Sequence, residues 1–212
     1  MLPLSLDLTK LRLALVGNGP AAAHRLAWLD EAGAVTLSVF SEAPSAELSL
    51  RAGARLTRRS PSMVELCGVQ LLFIADLPEP HRNALAAAAR AAGAIVHVED
   101  APALSDIHAP AVLRRGDLTI AISTNGAAPG LAAELKQFLA GIFGPAWRGR
   151  IDELRVLRRD WHRAGASHDT VRRLTAARVA RHGWLNKRRA IAANDDRKAI
   201  SERGGSHVSE SR

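Results

Sequence analysis

The chemistry in this chain is concentrated between Val98 and Gly126, in the string VEDAPALSDIHAPAVLRRGDLTIAISTNG. Two carboxylates, Glu99 and Asp100, open it, and two guanidinium groups, Arg114 and Arg115, stand in its middle. The hydroxyl-rich run Ser123-Thr124-Asn125-Gly126 closes it. Groups of these kinds move protons and hold anions. A second concentration lies upstream, where Gly17-Asn18-Gly19-Pro20-Ala21-Ala22 has the G-x-G-x-x-A spacing that lets backbone approach a phosphate.

The elements that must position these groups alternate between strand and helix. Residues 11–16 run apolar almost without interruption, as in a strand covered on both faces of a parallel sheet. After the glycine turn, Ala22, Leu26 and Leu29 recur at helical spacing until Gly33, and residues 35–40 read as a second strand. This is the βαβ context of a dinucleotide site. The first glycine permits the turn, the second permits close approach to the pyrophosphate, and the small Ala22 permits close helix–strand packing. The helix N-terminus then offers N–H groups to the phosphates. Near the end of the second strand Glu42 is the only carboxylate, next to Ser41. No arginine in that stretch suits a 2′-phosphate, so NAD is expected over NADP.

Residues 46–52 read as a short helix, 69–75 as a buried strand ending in the loop Asp76-Leu77-Pro78, and 79–92 as an alanine-rich helix. The strand ending at Val98 follows. An open parallel α/β sheet results, and its ligands bind outside the carboxyl ends of the strands. Gly17–Ala22, Ser41, Asp76 and Asp100 all fall at such ends. Beyond them Pro102 and Pro110 forbid a regular helix. Residues 111–115 and 118–123 then form two extended segments around a Gly116-Asp117 turn.

Three helices follow, over residues 129–143, 146–163 and 167–181, with Pro129 suited to the first turn of one and Ser167 to the cap of another. They carry many arginines, and charged and small residues from Asn186 onward read as a disordered tail. The 212 residues include no tyrosine and one cysteine, Cys67, which allows neither an internal disulfide nor a cysteine metal site. No apolar run approaches the roughly 18 residues that span a bilayer, and no signal peptide is expected, so the reading is a soluble cytoplasmic protein. A net charge of +8 points to an anionic partner: nucleic acid, an acidic membrane surface or a polycarboxylate ligand.

Taken together, VGNGPAAAHR, VEDAPALSDIHAPAVLRRGDLTIAIST and NGAAPGLAAELK resemble the precorrin-2 dehydrogenase family, over roughly residues 5 to 145. These NAD-dependent enzymes, some of them also ferrochelatases, form the dehydrogenase module of siroheme synthase. The resemblance implies oxidation of precorrin-2 to sirohydrochlorin with NAD, followed in bifunctional members by insertion of Fe²⁺. It implies an NAD-binding Rossmann domain at 1–110, a dimerisation region at 111–145, a helical domain at 146–185 and the tail at 186–212, in an interlocked homodimer. No membrane and no nucleic acid are expected as partners. The methyltransferase module of fused synthases is not expected in a chain of this length.

The family's catalytic aspartate falls on Asp100; the competing reading is a cap on the turn that follows. Glu99 reads as a solvated neighbour, and Asp106 and His108 as residues that can line the same cleft. Gly17, Asn18, Gly19, Pro20, Ala21, Ser41, Glu42 and Asp76 are the cofactor-binding candidates. Precorrin-2 has a rim of acetates and propionates, which arginines bind bidentately. Arg114, Arg115, Ser123, Thr124, Asn125 and His108 are therefore the substrate-binding candidates, with a solvated hairpin end as the other reading of the two arginines. No metal-ligand spacing is present. The chain departs from the family pattern at His97, where Asn is frequent, at Asp76 in place of Thr, and at Asn125 in place of Gly.

Three rivals can be weighed on the sequence, of which a purely structural or scaffold role would leave the Val98–Gly126 string unexplained. A short-chain dehydrogenase is excluded because its catalytic tyrosine has no counterpart. An NAD-binding regulator or sensor would use the basic helices to bind nucleic acid, and it predicts strongly salt-dependent binding.

Overall fold

The computed structural model describes residues 2–185; the tail read at 186–212 lies outside the described residues. Two compact units divide the chain, Met1–Ala109 and Pro110–Arg212. Among the described residues no helix is long and apolar enough to cross a membrane.

In the first unit β1 (Arg12–Gly17), α1 (Pro20–Glu31), β2 (Thr36–Phe40), α2 (Ala46–Ala52) and β3 (Leu56–Thr57) come in succession. They are followed by α3 (Met63–Leu66), β4 (Leu71–Ala75), α4 (Glu79–Ala91) and β5 (Ile95–Val98). The strands form one parallel sheet in the order β3-β2-β1-β4-β5, as in a Rossmann fold. Central strands of such a sheet are covered on both faces, which explains the apolar runs: β4 is buried at every position and β1 at every position after Arg12. Alternate residues feed two separate cores. Leu13, Leu15 and Phe73 face Leu26 and Leu29 of α1. Ala14, Val16, Leu72 and Ile74 face Ala86 and Ala89 of α4.

The close approach of α1 to the sheet depends on Gly17. A Cβ there would stand 2.3 Å from the Ala75 carbonyl oxygen and 2.8 Å from the Ala22 Cβ. Backbone cannot yield as a flexible side chain does. Gly17→Ala is therefore expected to destabilise the protein by about 2–3 kcal/mol, read as a lowered denaturant midpoint. An unchanged midpoint would show that β1, β4 and α1 have slack at this point.

The second unit begins with an antiparallel hairpin, β6 (Ala111–Arg115) and β7 (Leu118–Ile122), in which Arg115 pairs with Leu118. Only Gly116 and Asp117 separate the strands, and Gly116 has φ +62°, the left-handed backbone that such a tight turn requires. Helices α5 (Pro129–Ile142), α6 (Trp147–Arg163) and α7 (His168–Arg181) follow. The Ser167 hydroxyl accepts from the Thr170 N–H and caps α7. Phe143, Trp147 and Trp184 meet in series at tilted and edge-on angles, with the Arg150 guanidinium 4.8 Å from the Trp147 ring centre.

Candidate active site

The glycine turn sits between β1 and α1 and is held from two sides. Asn18 Oδ1 accepts from the Ser41 hydroxyl at 2.8 Å and from the Ala43 N–H at 3.3 Å, which ties the turn to the end of β2. Ser41 is only 1% exposed, so its place is behind the turn, bracing Asn18. Pro20 occupies the first turn of α1, where a missing N–H costs nothing. The Ala21 N–H has no acceptor within the helix. The Ala22 N–H does have one: Asp76, at the end of β4, accepts from it through Oδ2 at 2.9 Å.

Glu42 lies two residues beyond β2 and accepts a hydrogen bond from the Ser60 hydroxyl at 2.8 Å. Here the structure corrects the sequence reading that no arginine is nearby. Strand β3 pairs with β2 and the Ser41 N–H reaches the Thr57 carbonyl, which brings Arg58 and Arg59 alongside. Arg59 is engaged by both oxygens of Glu65 at 2.7 Å, while Arg58 is exposed. The glycines, the free Ala21 N–H and the acid beyond β2 fit a dinucleotide.

Asp100 follows β5 at the same carboxyl edge of the sheet. It is exposed and adopts φ +55°. It does not cap the turn after it. The 3₁₀ turn at Pro102–Leu104 has no side-chain cap, and the Ser105 hydroxyl closes the loop by accepting from the Val98 N–H and donating to carbonyls of Val98 and Ala101. Among the described residues no hydrogen bond or ion pair engages the Asp100 carboxylate.

Its neighbour Glu99 is not the solvated residue expected from the sequence. Glu99 Oε2 takes Nη2 of Arg25 at 2.6 Å and Nε at 3.1 Å, in a site where the Arg25 side chain is only 10% exposed. His97, on β5, faces Arg25 of α1. Its Nδ1 lies 3.0 Å from the Ile107 carbonyl and its Nε2 lies 3.4 Å from Arg25 Nη2. The His97 ring, 3.7 Å away and thus beyond hydrogen-bond length, and the directly bonded Arg25 guanidinium hold the Glu99 carboxyl down at about 2, against a burial that pushes it up. Trp28 and Phe73 cover the guanidinium at 5.1 and 5.8 Å.

Asp106 is likewise structural: it accepts from Arg90 at 3.0 Å and from the Val96 N–H at 2.9 Å. His108 is half-buried on the segment that leaves β5. Among the described residues no three His, Cys, Asp or Glu side chains come together as a metal site.

The remaining candidates belong to the second unit. Arg114 is exposed on β6 and donates to the Thr119 hydroxyl at 3.3 Å. Arg115 is half-buried and committed to structure, donating to the Phe143 carbonyl at the end of α5 at 2.8 Å. Ser123 accepts from the Asn125 N–H, Thr124 accepts from the Ala128 N–H, and Asn125 has φ +53°. Both hydroxyls keep a proton to donate. Of the helical arginines, Arg155 pairs with Asp117 and Asp152, Arg172 and Arg173 with Asp169, and Arg178 with Glu153.

Sequence reasoning missed Arg25, Ser105 and the arginines beside Glu42. Arg25 carried one usable signal: a charge on the apolar side of α1, one position before Leu26.

Comparison with known proteins gives two family matches. A family described as putative NAD(P)-binding matches residues 4–111, and one described as sirohaem biosynthesis protein central matches residues 115–141. The siroheme synthase of Xylella fastidiosa (strain M12) is 36% identical over 179 residues, 82% of this chain and 37% of that protein. That of Methylococcus capsulatus is 35% identical over 137 residues, 64% of this chain and 29% of that protein. The chain thus spans about a third of the length of these relatives. Among solved structures, one described as SirC, precorrin-2 dehydrogenase, superposes with a TM-score of 0.67 at 23% identity, covering 92% of this chain and 98% of its own.

Proposed function

The chain belongs to the NAD(P)-binding family of siroheme biosynthesis, and on that premise we propose that it oxidises precorrin-2 to sirohydrochlorin with NAD as acceptor. The observation that carries this reading is the unengaged Asp100 carboxylate at the carboxyl edge of a dinucleotide-binding sheet, in a turn that Ser105 already closes.

Gly17, Gly19 and the Ala21 N–H would hold the dinucleotide's diphosphate, with Pro20 pre-setting the helix start and Asn18 kept in place by Ser41. Glu42, with Ser60 on one of its oxygens, is the acid for the ribose hydroxyls. When bound, the dinucleotide would supply the acceptor for the hydride lost by the reduced macrocycle. Asp100 takes the accompanying proton. Arg114, Ser123, Thr124, Asn125 and His108 are assigned to the acetate and propionate groups of the substrate. Arg115, engaged with Phe143, holds the end of α5 instead.

A homodimer is part of this proposal. Leu131, Leu135 and Phe138 lie at helical spacing on α5 and are 55%, 39% and 51% exposed, a stripe that a second copy would cover. The reaction is assigned to the cytoplasm, where the free, exposed Cys67 stays reduced.

The test is anaerobic precorrin-2 mixed with NAD and protein. The NADH absorbance band should rise in step with sirohydrochlorin, and its failure to rise would remove the assignment. Sirohydrochlorin and Fe²⁺ without NAD form the second arm, in which metallation faster than the protein-free rate reports iron insertion.

A further inference from the structure

We propose that Asp76 is an internal competitor for the diphosphate of the dinucleotide and sets a low cofactor affinity; this rests on the NAD reading above. Three observations converge on it. The Asp76 carboxylate accepts the Ala22 N–H at 2.9 Å, so it occupies a donor at the start of α1. A Cβ on Gly19 would stand 3.0 Å from both Cγ and Oδ2 of Asp76, so the carboxylate lies directly over the second glycine of the turn. Asp76 also holds φ +53°, a left-handed backbone that few residues adopt, at the end of β4 beside that turn.

The first turn of a helix attracts an anion through its unpaired N–H groups and dipole. In α1 that supply is small from the start. Pro20 has no N–H, the Ala23 N–H turns back to the Gly19 carbonyl, and Asp76 takes the Ala22 N–H. A diphosphate arriving at this turn meets one carboxylate already seated there. It must displace the carboxylate from the Ala22 N–H or bind beside a like charge, and either route weakens binding.

Asparagine keeps the side-chain oxygen that accepts the Ala22 N–H and tolerates left-handed backbone, but carries no charge. The experiment titrates NADH fluorescence into wild type and Asp76→Asn at low and raised salt, with thermal unfolding of each. Asp76→Ser serves as a second uncharged variant. The Asn variant should bind NADH about tenfold more tightly at low salt, with the gap closing as salt screens the repulsion. Equal or weaker binding by folded uncharged variants overturns the proposal, because Asp76 would then be neutral or a holder of the cofactor. NADH binding to none of the three proteins overturns the cofactor reading, and this proposal with it.

Discussion

Asp100→Asn should lower the rate of precorrin-2 oxidation by about a hundredfold to ten-thousandfold, the range for losing a general acid or base. NADH affinity and the thermal midpoint should stay where they are. The substitution suits this position. Asn has the size of Asp and tolerates the φ of +55° that residue 100 adopts, so the backbone has no reason to move. The loop does not depend on the carboxylate either, since Ser105 makes the contacts that close it. What is lost is the capacity to accept a proton. Anaerobic progress curves at the NADH band measure the rate and a fluorescence titration measures the affinity. Turnover equal to wild type would remove Asp100 from the mechanism. A parallel fall in affinity or midpoint would give it a structural role instead.

The parts of this molecule that were legible in the sequence are those whose cause is local. The turn at Gly17–Ala22, the apolar runs of β1 and β4, Pro129 at the start of α5 and Ser167 before α7 each announce an element through sterics or capping within a few residues. The tight Gly116-Asp117 turn is of the same kind. What stayed hidden is pairing across distance. Glu99 reads as solvated because Arg25, its partner, lies 74 positions earlier, and nothing in the local pattern joins them. The strand β3 is two residues long, so its delivery of Arg58 and Arg59 to the end of β2 follows from the sheet and not from any periodicity. Arg115 looks like a free cation until the end of α5 comes to rest against it. Asp106 loses its place in the cleft for the same reason, with Arg90 16 positions before it.

Arg25→Met should destabilise the protein by about 3 kcal/mol, because it leaves the partly buried Glu99 carboxylate without its counter-charge. Methionine keeps an unbranched apolar stem against Trp28 and Phe73, so little of the loss comes from packing. The pH dependence separates the charge effect from any other. In the folded protein Glu99 is held at about 2, below its ordinary 4.5. A depressed carboxyl contributes stability that is complete above its unfolded value and is lost as pH falls through its folded one. Wild-type stability should therefore decline between about pH 4.5 and 2 on this account, and Arg25→Met should show a shallower decline there because Arg25 no longer helps to hold its Glu99 down. The double variant Arg25→Met with Glu99→Gln completes the argument. Removing the stranded charge should restore part of the stability lost in the single variant, as replacement of both members of a buried pair commonly does. Denaturant unfolding of the four proteins at pH 7 and pH 3.5 measures the cycle. Additive losses would mean that Arg25 and Glu99 act independently, and that the link from α1 to the residue beside Asp100 is not what holds this end of the sheet.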